Sequence, residues 1–328
     1  MQALILHAPG SITLEEIPSP APEPGDVLIK VEAATTCGTD LKAFLRGHPQ
    51  IPMPGVLGHE YTGEVLAVGE GSEFRPGDKV MGVHSAPCQQ CRWCRRGQEN
   101  LCESIMATKV LGSYAENLLI PSRIAKLNLF KRPSHLRDDI ACLLEPLACV
   151  AQAISRISIN PGSRALVIGP GAVGLMFVAA LRRLGMSDIT LAGRNSRRLA
   201  IGERFGASAR YLADLTGHYD LVIECTGKVE VWEQSIDFCE RGGTLVLFGG
   251  CPSGTSACFD TKKVHYDEIT ILSPFHFGTQ AVQMARTWLL DTTFDLSALI
   301  TGQRSLREGA DVFRDLEAGH GIKYVFRP

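Results

Sequence analysis

Residues 164–184 read RALVIGPGAVGLMFVAALRRL. An apolar run, Ala165 to Ile168, meets Gly169-Pro170-Gly171-Ala172-Val173-Gly174, and an apolar helical run follows. This is G-x-G-x-x-G in the setting that gives the pattern meaning, between a buried strand and the start of a helix. The first glycine permits a tight turn, the second lets backbone approach a pyrophosphate, and the third lets helix and strand pack closely. Free N–H groups at the helix start then face the phosphates. The stretch from Ala165 to Leu181 carries no charge and is nearly long enough to span a bilayer. Its glycines and Pro170 mark it instead as strand, turn and helix.

Working outward, the alternation continues. DITLAG (188–193) precedes the helical RRLAIGERFG (197–206), and YDLVIECTG (219–227) precedes VEVWEQSIDFC (229–239) and GGTLVLFGG (242–250). Apolar strands alternating with helices predict a parallel sheet with right-handed crossovers, so the fold class is α/β. Residues 1–147 differ. Short apolar runs are broken by Pro and Gly, as in PSPAPEPGDVLIKVEAA (18–34) and RPGDKVMG (75–82), which predicts an all-β region with tight turns. From 278 the chain turns helix-rich and ends in the strand-like IKYVFRP (322–328). The expected organisation is 1–147, a dinucleotide-binding domain at 148–277, and a closing segment at 278–328; 328 residues suit two cores.

Composition excludes several classes. The chain is 45% hydrophobic and 21% charged, with net charge −2, so no basic field for nucleic acid exists. Met1 leads almost directly into the strand-like ALIL, without an export signal. Eleven cysteines, an odd number, suit a reducing compartment, and a cytoplasmic protein is expected, with no membrane or nucleic-acid partner.

Four of those cysteines lie in CQQCRWCRRGQENLC: Cys88, Cys91, Cys94 and Cys102, spaced C-x2-C-x2-C-x7-C. Four thiolates on short loops make a closed tetrahedral site that suits structural zinc. Two disulfides would need an exported protein, which nothing here indicates. Arg92, Arg95 and Arg96 favour the thiolate forms.

The end of the second strand bears on the cofactor. An NAD site places Asp or Glu there for the ribose hydroxyl. This chain has Leu191-Ala192-Gly193-Arg194-Asn195-Ser196-Arg197-Arg198, without a carboxylate. Gly193 clears space, and Arg194 and Arg198 offer positive charge to a 2′-phosphate, so NADP is favoured over NAD. A third constellation is scattered: Cys37 in CGTD, His59 and Glu60 in GHE, and Glu145 in LLEPLA. Cys, His and carboxylate are plausible zinc ligands that leave a fourth position open.

Taken together, CGTD (37–40), GHE (58–60), the four-cysteine lobe, EP (145–146), the glycine fingerprint and ECTG (224–227) resemble the zinc-dependent medium-chain dehydrogenase/reductase family, in its polyol and threonine dehydrogenase branch. The resemblance covers essentially the whole chain. It implies a GroES-like β-rich catalytic domain, to which residues 278–328 return, a Rossmann doubly wound domain, and an active site in the cleft between them. It implies two zinc ions per chain. Cys37, His59 and Glu145 match the ligands of the catalytic one, Glu60 the neighbouring glutamate that can exchange with its water, and Asp40 the carboxylate that orients the histidine. Thr39 matches the hydroxyl that passes the alcohol proton onward. Gly169, Gly171, Ala172, Val173 and Gly174 would hold the pyrophosphate; Cys225, Thr226 and Gly249 would border ribose and nicotinamide. One departure stands out: Lys42 occupies the position where relatives often carry the relay histidine. A lysine is ordinarily cationic near pH 7 and a poor base, and His48 is a possible substitute. The implied activity is hydride transfer between a secondary alcohol or polyol, or the matching ketone, and NAD(P). An amino-alcohol dehydrogenase of threonine type and a non-catalytic zinc- or nucleotide-binding protein of the same fold are the alternatives. The resemblance also implies a homodimer or homotetramer.

Overall fold

The strands that begin at the glycine fingerprint line up as one parallel sheet in a computed structural model that describes residues 1–328. In space they run Ser208–Tyr211, Asp188–Gly193, Arg164–Ile168, Tyr219–Glu224, Cys239–Leu247, Thr270–Leu272. Numbered along the chain, that order is 3-2-1-4-5-6, the doubly wound Rossmann order. Leu166, Ile168, Val222, Leu245 and Leu247 are buried in its core. This unit spans Cys149–His276.

The strand order reverses between Arg164–Ile168 and Tyr219–Glu224. Gly169 and Cys225 follow these strands directly, and Cys225 N donates to Ile168 O at 2.8 Å. Gly169 has φ +107°, and a Cβ there would lie 2.9 Å from Thr226 Cγ2. Only glycine fits that position.

The other unit combines Met1–Ala148 with Phe277–Pro328. Its main sheet has seven strands. Six run in the order Ile300–Ser305, Lys323–Arg327, Val27–Thr35, Tyr61–Val68, Lys79–Gly82, Leu129–Lys131, and Asn117–Ile120 also pairs with Val27–Thr35. The late strand Lys323–Arg327 therefore lies inside the sheet, antiparallel to Val27–Thr35 with Val325 opposite Thr35. The amphipathic helix Gly309–Glu317 buries Val312, Phe313 and Leu316, and Phe313 stacks on Phe44 at 5.1 Å.

Residues 1–147 are not all β. Helices Gly38–Arg46, Ser122–Asn128 and Leu144–Ile154 interrupt the strands. The first starts where Cys37 Sγ accepts from Thr39 N, an N-cap supplied by a residue rarely used as one. The third runs through Ala148, so the composition change near residue 147 falls inside a helix. No helix is long and apolar enough to cross a membrane.

Candidate metal centre and cofactor crevice

Cys37, His59 and Glu60 each present a ligand atom, and the three lie within 4.8 Å of one another. Three local features bring them there. Cys37 caps its helix, 3.4 Å from Thr39 N. Gly58, just before His59, has φ +92°, and a Cβ would lie 2.4 Å from Ser113 Oγ and 2.5 Å from Tyr114 Cδ1, so glycine alone lets the backbone pass this close to Tyr114. Asp40 is fully buried one turn into the helix, with Oδ1 3.4 Å from His59 Nδ1. Tyr114 OH donates to Asp40 Oδ2 at 2.7 Å. The carboxylate behind Nδ1 leaves Nε2 free to ligate, the usual arrangement of a metal-bound histidine. Burial works to lower the pKa of His59, but the charges of Asp40 and Cys37 prevail and raise it well above the ordinary histidine value. The surroundings of that ring thus attract positive charge.

Glu60 is wholly buried and takes a partner from far along the chain. Lys323 Nζ donates to Glu60 Oε1 at 2.6 Å, to Oε2 at 2.5 Å and to Thr36 O at 2.8 Å. Thr35 adds its hydroxyl to Glu60 Oε2. Burial pushes the Glu60 carboxyl up against the pull of Lys323. For Lys323 burial pushes down, and the charges of Glu60, Cys37 and Glu145, together with the Glu60 hydrogen bond, more than offset it.

Glu145 lies outside the 4.8 Å set. Its Oε1 stands 3.2 Å from His84 Nδ1, both residues being buried. The His84 ring meets His59 at 5.1 Å and Phe277 edge-on at 5.8 Å. Burial, then the charges of His59 and Lys109, hold His84 well below the ordinary value, so it is a neutral ring near pH 7. Sequence reasoning missed His84 and Lys323. The only signal was a lysine embedded in the buried strand IKYVF. A thiol and three carboxylates, those of Asp40, Glu60 and Glu145, meet here beside one ammonium, which is an acid-rich set that a divalent cation balances. Thr39 is half-buried in the first turn of the capped helix, and Lys42 follows one turn later.

In the lobe, the sulfurs of Cys88, Cys91, Cys94 and Cys102 also lie within 4.8 Å of one another. Cys88 Sγ is 4.0 Å and Cys91 Sγ 3.5 Å from Cys94 Sγ. Four sulfurs held about 2.3 Å from one zinc stand roughly 3.8 Å apart, so the geometry fits. Cys88 N donates to Cys102 Sγ at 3.2 Å, and Cys91 N to Cys88 Sγ at 3.3 Å. Backbone N–H groups of Cys94 and Glu103 bring the Cys91 thiol down to about 6, whereas burial pushes Cys94 up to about 12.

The crevice of the parallel sheet fits a dinucleotide. A Cβ at Gly171 would meet nothing within 4 Å, which leaves room for phosphate oxygens. A Cβ at Gly174 would lie 2.0 Å from Gly169 O, so helix and turn pack as the fingerprint requires. Ala172 and Val173 open the helix Ala172–Arg183. Thr226 N donates to Glu224 Oε1 at 2.5 Å, and a Cβ at Gly249 would lie 2.3 Å from Gly227 N, so Cys225, Thr226 and Gly249 converge at the strand ends. Gly193 has another reason to be glycine than the one expected. A Cβ there would lie 2.3 Å from Pro170 Cδ, so the turn before the helix excludes a side chain and Gly193 clears space for Pro170. Arg194 is exposed, Arg198 is half-buried, and Asn195 caps the helix Ser196–Arg204 by accepting from Arg198 N at 3.1 Å.

Comparison with known proteins agrees with this arrangement. Residues 23–129 match the alcohol dehydrogenase GroES-like domain, and residues 172–291 match the zinc-binding dehydrogenase domain. L-threonine 3-dehydrogenase of Aeromonas salmonicida (strain A449) is 30% identical over 98% of this chain and 97% of its own length. A zinc-binding dehydrogenase of Sinorhizobium meliloti 1021, solved with NADP bound, is 28% identical with a TM-score of 0.88, covering 100% of this chain and 99% of its own. Alcohol dehydrogenase TADH of Thermus sp. ATN1 is 26% identical with a TM-score of 0.90, over 100% and 99%. The chain belongs to the zinc-dependent medium-chain dehydrogenase/reductase family and is an oxidoreductase of its alcohol dehydrogenase type.

The buried pair beside the metal centre makes a test of its own. Lys323→Met leaves Glu60 buried without its cation, which should cost about 3–5 kcal/mol. The urea midpoint should fall sharply, and Lys323→Met with Glu60→Gln should recover part of the loss. A midpoint equal to wild type in Lys323→Met would show that the pair contributes nothing.

Proposed function

We propose that the chain moves hydride between a secondary alcohol or polyol and NADP, with two zinc ions per chain. Cys37, His59 and Glu145, with Glu60 beside them, would hold the catalytic zinc; Cys88, Cys91, Cys94 and Cys102 would hold the structural one. The observation that carries this reading is the gathering of Cys37, His59 and Glu60 around a histidine backed by buried Asp40. Bound zinc supplies Lewis acidity, which eases loss of an alcohol proton, and nicotinamide supplies the hydride acceptor. The chain's own residues do the rest. Asp40 keeps His59 oriented, Lys323 holds Glu60, and Thr39 takes up the alcohol proton. Beyond Thr39, Gln50 N donates to His48 Nδ1 at 3.2 Å. Burial, then the charges of Lys42, Lys109 and Arg46, lowers the pKa of His48, so the ring is neutral near pH 7. With Nδ1 accepting, Nε2 carries the hydrogen and donates rather than accepts. The proton therefore leaves Thr39 by water or the cofactor ribose.

A second reading has an observation of its own. The positive charges of Lys42, Lys109 and Arg46 bear on His48, and that of Lys109 on His84. The Lys109 charge that reaches His84, beside Glu145, favours a substrate that carries a carboxylate, as an amino-alcohol acid of threonine type does. A screen of polyols, secondary alcohols and L-threonine with both cofactors separates the two readings. Family likeness supports a homodimer or homotetramer, and the odd cysteine count supports a reducing compartment such as the cytoplasm.

Metal analysis of gently purified protein should give two zinc ions per chain. Cys37→Ala or His59→Ala should abolish turnover and leave one zinc, whereas Cys94→Ser should lower Tm and solubility, because a structural site contributes folding energy. Turnover that survives loss of Cys37 or His59 would overturn the catalytic assignment.

Cofactor choice is read at Arg194, since Pro170 forbids placing a carboxylate at Gly193. A charge-assisted bond to the 2′-phosphate should make NADP preferred, and Arg194→Ala should weaken NADP roughly ten- to a hundredfold with little effect on NAD. Equal loss for both cofactors in kcat/KM would show Arg194 to be a solvated surface residue.

A further inference from the structure

The cysteine lobe carries the short turn Glu99–Leu101, and Glu99 reaches out of it to a helix 180 residues away. Glu99 Oε2 accepts from Thr279 N at 2.8 Å and from Thr279 Oγ1 at 2.5 Å. Thr279 opens the helix Thr279–Leu290, whose N-cap is Gly278 and offers no side chain of its own. Glu99 thus caps the helix from outside it, satisfying an N–H group with no partner inside the helix and placing negative charge at the positive end of the dipole. The approach is close: a Cβ on Gly278 would lie 3.1 Å from Glu99 Cβ.

Phe277, two residues before Thr279, is fully buried. The chain enters it from His276, which has φ +56°, and Phe277 is the first residue of the returning segment. Its ring stands against His84 at 5.8 Å. His84 in turn lies 3.2 Å from Glu145 and 5.1 Å from the His59 ring. A line runs from the cysteine lobe to the metal centre: Glu99 to Thr279 by hydrogen bonds, Thr279 to Phe277 through the backbone of Gly278, then Phe277 to His84, and His84 to Glu145 and His59.

We propose that Glu99 is a positioning residue through which the cysteine lobe sets the geometry of the metal centre, by fixing Phe277 against His84. This rests on the reading of His59 and Glu145 as catalytic zinc ligands. Without the cap, the first turn of the helix frays and Phe277 loses the anchor two residues after it. His84 then loses a packed wall, and the Glu145 carboxylate loses a fixed neighbour.

The test uses the full-length, metal-loaded protein and three variants: Glu99→Ala, Glu99→Gln and Thr279→Val. Glu99→Gln keeps an acceptor and should stay near wild type. Glu99→Ala should lower kcat/KM for the alcohol by roughly ten- to a hundredfold, the scale of an ångström's misplacement at a reacting centre, with cofactor Kd unchanged. In hydrogen exchange, amides at 277–283 and at 83–86 should exchange faster in Glu99→Ala, and those at 164–174 should not change. Thr279→Val, which removes only the hydroxyl bond, should shift both readouts in the same direction by less, and it replaces Glu99→Ala if that variant does not fold. A lower Tm with wild-type kcat/KM and unchanged exchange at 83–86 would overturn the proposal and leave Glu99 a helix cap only. If no variant and no wild type turns over any alcohol, the reading of the metal centre has failed; exchange at 83–86 still decides whether lobe and centre are coupled.

Discussion

The ion pair between Glu60 and Lys323 is the interaction on which the catalytic half of the molecule turns. Removing both charges from water is expensive, and the pair is tenable only because its hydrogen bonds are largely filled. The ammonium gives protons to both Glu60 oxygens and to Thr36 O, and Thr35 adds a hydroxyl to the carboxylate. These partners fix the residues just before Cys37. Around them, Thr36 N donates to Tyr324 O and Tyr324 N to Thr36 Oγ1, each at 3.0 Å. The inner strand of the sheet, the approach to Cys37 and the carboxylate beside His59 are therefore one hydrogen-bonded unit.

Much of this molecule was legible in its sequence, for an identifiable reason. The parallel sheet announces itself because buried strands and helices have distinct local patterns, and the glycine fingerprint from Gly169 to Gly174 is spelled out within six residues. The cysteine lobe is likewise local. Cys37, His59 and Glu60 could be named by motif, and they do meet. What the sequence concealed was long-range. His84 and Glu99 carry no motif, and their meanings come from partners in other elements. Lys323 left a trace, since a lysine flanked by buried residues requires an acceptor, yet nothing local says which.

Two positions have local roles that their motifs do not spell out. Gly193 lacks a carboxylate because the Pro170 ring occupies the space of a side chain, a packing fact from the neighbouring turn. The missing carboxylate at the strand end is therefore explained by packing alone. The helix that Cys37 caps lies in a stretch whose prolines and glycines suggest strands alone. A thiolate can accept from an N–H group much as a hydroxyl does, so the residue that would bind metal also starts the helix.

The two clusters of ligand-type residues differ greatly in how far apart along the chain their supporting contacts lie. Cys88 and Cys102 are fourteen residues apart, whereas Glu60 and Lys323 are separated by 263. During synthesis the lobe is complete once about a third of the chain has emerged, while the ribosome is still at work. The catalytic set cannot close until residue 323 has left the exit tunnel and its strand has slotted beside Val27–Thr35. Until then Glu60 lacks its lysine, and Cys37 and His59 stand in an unfinished sheet. The order of translation thus becomes an order of assembly, with the four-cysteine cluster complete first and the cluster of Cys37, His59 and Glu60 last.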